Sequence, residues 1–182
     1  MKMLRIIGGQ HRGRRIRFES SHGLRPSLDH VREMVFNWLQ WDIDGRGVLD
    51  LFAGSGAFGI EALSRGASFA SFVESHRASY ERLRDNIALL NLADQSQIYP
   101  CAFTPHLKLQ QNSFDLVFLD PPYDSPLLPQ ACQWLDANHI LNDGALIYIE
   151  APARADLAFL PSAWKKIKFK KGKRSLHGLW QA

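Results

Sequence analysis

The tetrapeptide Asp120-Pro121-Pro122-Tyr123 is suited to chemistry on a planar amine. An exocyclic amino group is a poor nucleophile because its lone pair is delocalised into the ring. Asp120 and the carbonyl of Pro121 can accept its two N–H hydrogens. That turns the lone pair outward and favours a tetrahedral nitrogen in the transition state. Pro122 stiffens the loop by fixing φ. Tyr123 offers a flat face on which an extruded base can stack. Taken alone, the tetrapeptide is also an ordinary proline turn with Asp as turn former. Its context decides between the two.

That context is a glycine loop upstream. Gly54-Ser55-Gly56-Ala57-Phe58-Gly59 matches G-x-G-x-x-G, after an apolar run and before a helical pattern. Such a loop lets backbone approach a ligand at a helix N-terminus. Glu74 stands 20 residues after Gly54, where a carboxylate can accept both ribose hydroxyls. Contacts to a nucleoside cofactor are expected from Asp50, Phe52, Ala53, Gly54, Ser55, Gly56 and Glu74. Asp50 narrows the choice of cofactor. A dinucleotide would set a pyrophosphate at this loop, and a carboxylate repels it. S-adenosylmethionine carries no phosphate, and its ammonium and sulfonium favour a nearby acid. A nicotinamide-dependent oxidoreductase is disfavoured on this ground.

The elements that must hold these groups read as an alternation. Residues 4–18 form two short strands around Gly8-Gly9 and Gly13. Pro26 and Ser27 open a helix with Ser27 as N-cap, and Val31, Met34, Val35, Trp38 and Leu39 recur at helical spacing. Strands are expected at 47–52, 68–73, 97–101, 114–119 and 145–149. Helices are expected at 57–65, 78–92 and 126–138. Continuous apolar strands alternating with helices imply a parallel sheet covered on both faces. After Pro161 the period becomes two, with Trp164, Ile167 and Phe169 between lysines. A closing antiparallel hairpin at the sheet edge is expected there.

Composition bounds the rest. The 182 residues are 46% hydrophobic and 22% charged, which suits one globular domain and excludes global disorder. No apolar run approaches a membrane span, and the start shows no secretory pattern, so a cytoplasmic location is expected. Cys101 and Cys132 form no CxxC pair, and the seven histidines show no metal-ligand spacing, so no metal is expected. The net charge of +4 is segregated. Residues 1–32 carry net +6, residues 161–182 net +7, and the stretch between them net −9. Basic ends on an acidic centre suggest a polyanion partner. For the C-terminal lysines, RNA contact and protection of an edge strand stand as equal readings.

The loop from Asp50 to Gly59 followed by Asp-Pro-Pro-Tyr resembles the class I S-adenosylmethionine-dependent amino-methyltransferases. The ends narrow the resemblance. Arg5-Ile6-Ile7-Gly8-Gly9-Gln10-His11-Arg12-Gly13-Arg14 is similar to the start of the bacterial 16S rRNA guanine-N2 methyltransferase family. Leu24-Arg25-Pro26-Ser27, Val31-Arg32-Glu33, Phe36-Asn37-Trp38-Leu39 and Glu61-Ala62-Leu63-Ser64-Arg65-Gly66 resemble its further signatures. The resemblance implies an α/β fold of the Rossmann-like class I methyltransferase kind. That fold has a mostly parallel seven-stranded sheet, helices on both faces and a small N-terminal β-hairpin extension. Residues 1–26 would form the extension and 27–182 the methyltransferase domain, one structural unit overall.

The implied reaction is methyl transfer from S-adenosylmethionine to N2 of a guanine in 16S rRNA. Asp120, Pro121, Pro122 and Tyr123 would form the catalytic loop, and Ala102 and Asp120 would join the cofactor contacts. Arg5, Arg12, Arg14, Arg15, Arg25 and Arg32 would contact RNA. The partner would be 16S rRNA or the assembling small ribosomal subunit, met by a monomer without membrane or metal. The sequence departs from the family pattern at His76, Cys101 and Ser27, where an acid, Asp or Asn, and Thr are usual. Two other functions fit parts of the sequence: a DNA adenine-N6 or other nucleic-acid amino-methyltransferase, and a non-catalytic RNA-binding assembly factor.

Overall fold

The computed structural model describes residues 2–18, 27–110 and 113–182. The basic stretches around the first glycines form a hairpin, β1 (Lys2–Arg5) antiparallel to β2 (Arg15–Phe18). Period two sorts their side chains. Leu4 and Ile16 turn inward and are buried, while Arg5, Arg15 and Arg17 stay exposed. Helix α1 (Ser27–Trp38) follows and buries Val35 and Phe36. Ser27, expected as the cap, is its first residue. Arg25 and Pro26 lie outside the described residues.

The remaining elements alternate. They are β3 (Gly47–Asp50), α2 (Ala57–Ser64), β4 (Phe69–Val73), α3 (Arg77–Leu89), β5 (Ser96–Tyr99), β6 (Phe114–Leu119), α4 (Leu127–Ala137) and β7 (Leu141–Pro152). β8 (Lys165–Lys171) and β9 (Ser175–Gln181) close the chain. The sheet order is β5-β4-β3-β6-β7-β9-β8. The first five are parallel, and β9 and β8 join antiparallel. This is the α/β class I arrangement expected from sequence, and the closing hairpin lies at the edge as expected.

Both sheet faces are covered, which is why the central strands are apolar at every position. Val48, Leu116 and Phe118 face a core built with α1, α2, α3 and the N-terminal hairpin. Leu49, Val117 and Leu119 face a second core with α4. Leu4, Ile6 and Ile16 belong to the first core, so the hairpin shares the packing of the main fold.

Three expectations change. β7 runs from 141 to 152, well beyond the apolar run at 145–149, because Leu141 still pairs with β6 and Glu150, Ala151 and Pro152 with β9. β8 lacks the buried face that its period-two pattern implies. All seven of its residues are exposed, including Ile167 at 45% and Phe169 at 43%. An extra residue interrupts its pairing between Lys166 and Lys168, and among the described residues β8 pairs with β9 alone. Trp164, just before the strand, is the buried member of the trio.

The third change concerns Arg32, expected on an RNA-facing surface. It is 1% exposed. Its Nη2 donates to the Arg5 carbonyl and to Asp29 Oδ1, both at 2.7 Å, and Nη1 lies 3.7 Å from Glu61 Oε2. Glu61, itself fully buried, accepts the backbone N–H of Ile7 at 2.8 Å and of Gly8 at 2.7 Å. Arg65 Nε donates to it as well, at 2.8 Å. Arg32 and Glu61 together fasten the N-terminal hairpin to α1 and α2.

Candidate active site

β3 has β4 on one side and β6 on the other, so the chain's strand order reverses there. In an open α/β sheet, ligands bind outside the strand carboxyl ends at such a point. A cleft of about 880 Å³ opens at this place. One half is built on β3, β4 and β5, through Phe52, Gly54, Glu74, Cys101 and Ala102. Its other half is built on β6, β7 and β9, through Asp120, Pro121, Pro122, Tyr123, Glu150 and Ser175. Glycine loop and tetrapeptide therefore face one space. Val31 of α1 also lines it.

Each loop glycine has its own task. Gly54 adopts φ +52, and nothing lies within 4 Å of the place a Cβ would take, so the loop leaves room on that side. Gly59 sits on the first turns of α2, where a Cβ would meet the Phe72 ring at 2.3 Å. Its absence lets α2 press against β4. Ala53 and Gly56 hold the loop through backbone bonds, Ala53 N–H to Val73 O at 3.0 Å and Gly56 N–H to Ala53 O at 2.7 Å. Ser55 offers its carbonyl to Asn86 Nδ2 at 3.4 Å. Ala53, Ser55 and Gly56 do not line the cleft; they shape the loop that does.

Asp50 is likewise placed behind the loop and not at its mouth. It is 3% exposed, and its Oδ2 accepts the Gly59 N–H at 3.0 Å. Burial pushes its carboxyl up to about 7, against a partial offset from the Gly59 bond and a further push from Glu74. Glu74 lies at the end of β4 and does line the cleft. One of its oxygens accepts the His76 N–H at 2.6 Å, which fixes the carboxylate and gives His76 a backbone part in the site.

Tyr123 is pinned by a hydrogen bond from its Oη to Glu150 Oε1 at 2.6 Å. Burial and that carboxylate push its hydroxyl well above the usual phenol range, so it stays protonated. Glu150, Ser175 and Val31 are cleft residues that sequence reasoning missed. A signal for Glu150 was present. Asp50, Glu74, Asp120 and Glu150 each end or directly follow a parallel strand's apolar run, so all four reach one sheet edge. Val31 and Ser175 gave no such signal, because their place depends on how α1 and β9 dock.

The cleft's charge is one-sided. Glu74, Asp120, Asp124 and Glu150 line it, and no Lys, Arg or His does among the described residues. Such a wall suits a cationic ligand and opposes a pyrophosphate. With room at Gly54 and a carboxylate at Glu74, the residues present fit S-adenosylmethionine. No three potential metal-ligating side chains cluster among the described residues. Nor is any described helix long and apolar enough to cross a membrane.

Residues 4–180 match the protein family described as "Conserved hypothetical protein 95". The chain is 39% identical over 178 residues to ribosomal RNA small subunit methyltransferase D of Escherichia coli K12, covering 98% of this chain and 89% of that protein. The chain belongs to this family. The Haemophilus influenzae protein of the same name is 40% identical over 170 residues, covering 92% of this chain and 88% of the relative. The solved structure of yhhF from Escherichia coli superposes with a TM-score of 0.90 at 38% identity, covering 99% of this chain and 98% of that one.

Proposed function

We propose that this family member transfers a methyl group from S-adenosylmethionine to the exocyclic N2 of a guanine in 16S rRNA. The observation that carries the reading is the single anionic cleft joining the glycine loop and Glu74 to the Asp120–Tyr123 loop. The names of the Escherichia coli and Haemophilus influenzae relatives support a small-subunit rRNA acceptor.

When bound, S-adenosylmethionine supplies an electrophilic methyl on a sulfonium. Phe52, Gly54, Glu74 and Ala102 would hold it, with Glu74 on the ribose hydroxyls. Asp120 and the Pro121 carbonyl accept hydrogens of the incoming amine and aim its lone pair. Tyr123, held by Glu150, gives the base a fixed aromatic wall. Once methylated, the nitrogen sheds one proton, and Asp120 is the acceptor in place. Much of the rate comes from holding these partners in line. Arg5, Arg12, Arg14, Arg15 and Arg17 are exposed on the hairpin and would meet RNA phosphates.

Labelled-methyl transfer tests the reading, with small subunits lacking the modification, deproteinised 16S rRNA and duplex DNA as parallel acceptors. Label in N2-methylguanosine from either rRNA sample is the expected result. Label in DNA N6-methyladenine, with none in rRNA, would replace it with the adenine-methylating alternative. Tight rRNA binding without turnover would favour the assembly factor.

A further inference from the structure

The acceptor half of the cleft holds a second carboxylate that the reaction above uses only to pin a tyrosine. β6 and β7 pair in parallel with Leu119 opposite Ile149. The next residues, Asp120 and Glu150, therefore come side by side on neighbouring strands, about 5 Å apart. Both line the cleft, and both lie on the side of β3 away from β4 and β5.

Glu150 belongs to a hydrogen-bond chain. Tyr123 Oη is 2.6 Å from its Oε1 and Tyr148 Oη is 3.2 Å from its Oε2. His177 Nδ1 lies 2.9 Å from Tyr148 Oη and 3.6 Å from Glu150 Oε2. Ser175 Oγ lies 3.0 Å from His177 Nε2. These contacts admit an arrangement of protons in which Glu150 only accepts. Both phenols donate to the carboxylate, His177 Nδ1–H donates to Tyr148, and the Ser175 hydroxyl donates to Nε2. Burial favours the neutral His177 imidazole that this arrangement uses. Each Glu150 oxygen then accepts one hydrogen bond and retains a second lone pair.

We propose that Glu150 is a specificity-determining residue that accepts the N1–H of the target guanine while Asp120 and Pro121 hold its 2-amino group. The proposal rests on the guanine-N2 reading above. Guanine presents N1–H directly beside its amine, two adjacent donors on one edge. Adenine presents an acceptor, N1, beside its amine. Two neighbouring carboxylates match the first edge, whereas the second sets a lone pair against Glu150. A site built to accept a hydrogen bond rejects an analogue that lacks the donor, since its own buried polar group is left unpaired.

The test uses small subunits reconstituted with rRNA carrying either guanine or 2-aminopurine at the methylated position. 2-Aminopurine keeps the 2-amino group and has an acceptor at N1. The wild type should favour guanine by roughly 100-fold or more in kcat/KM. Glu150→Gln, whose amide can donate to N1, should narrow that preference to about 10-fold or less. Tyr123→Phe should slow the reaction yet keep the preference. Equal losses on both bases in Glu150→Gln would overturn the proposal and leave Glu150 only a support for Tyr123. So would a wild type that treats both bases alike, or a preference that collapses in Tyr123→Phe. A wild type that methylates neither base in the rRNA would instead overturn the guanine-N2 reading itself.

Discussion

Asp50 carries a charge state that can be read from outside. Burial raises its carboxyl from 3.8 to about 7, so the folded protein keeps a proton that the unfolded chain gives up. The stability this proton contributes is complete below about pH 4 and is lost as pH rises to about 7. Asp50→Asn keeps an acceptor for the Gly59 N–H and removes the charge. The melting temperature of wild type relative to Asp50→Asn should therefore fall between about pH 4 and 7. A cationic ligand favours the ionised carboxyl, so binding expels the proton. Affinity for S-adenosylmethionine should rise with pH over the same range and lose that dependence in Asp50→Asn. A parallel pair of melting curves would show that Asp50 is already ionised. The sequence made Asp50 visible as an acid beside a glycine loop. It could not show that the backbone of that loop covers it, because burial depends on where α2 lands.

The elements of the parallel half of the sheet were legible because buried strands flanked by glycine, proline and acid leave a clear pattern. β6 was expected at 114–119 and spans Phe114–Leu119. The edge hairpin was legible in topology but not in burial. Period two marks a strand, yet only a covering layer buries one of its faces, and no described element covers β8. Arg32 was missed for a related reason. Its role is set by a partner 29 residues away, Glu61, and by the backbone of β1. That pairing yields a prediction for the hairpin. Glu61→Gln removes the buried charge that faces Arg32 and Arg65, leaves Arg32 with Asp29 as its charged partner, and offers one acceptor oxygen where two were used. The loss should be about 3–5 kcal/mol, the usual cost of breaking a buried ion pair. Urea denaturation reads it, and a loss within about 0.5 kcal/mol, the range of an ordinary surface substitution, would mean that the hairpin is held by its apolar contacts alone.

At the scale of the molecule, charge is divided by task. The acidic stretch builds the cleft, and the basic hairpin lies outside it. The turn joining β1 to β2 packs on the C-terminal end of α2, where Gln10 N–H meets Ser64 O at 2.7 Å. The glycine loop is at the other end of that helix. Eight residues of helix separate the two by about 12 Å. In the proposed reaction Arg12 and Arg15 would hold RNA and would not touch the reacting amine. Arg14 also ties the hairpin to α3, its Nη2 donating to Leu89 O at 2.8 Å, so it is the wrong choice for a clean test. Charge reversal of Arg12 and Arg15 together should raise KM for the rRNA substrate about tenfold at moderate salt, leave kcat unchanged, and flatten the salt dependence of binding by about one phosphate contact each. A fall in kcat at unchanged KM would place these residues in the chemistry instead.

In the proposed reaction Asp120 prepares the amine, across the cleft from Phe52, Gly54, Glu74 and Ala102, which would hold the cofactor. The direct measurement pairs transfer with binding for Asp120→Ala. Unmethylated small subunits are incubated with each protein and digested to nucleosides, and calorimetry follows S-adenosylmethionine. Wild type should yield N2-methylguanosine, and Asp120→Ala should yield none while binding the cofactor within about threefold of wild type, a difference well under 1 kcal/mol. Transfer that survives in Asp120→Ala would contradict the account, as would transfer and binding lost together or a methylated nucleoside other than N2-methylguanosine.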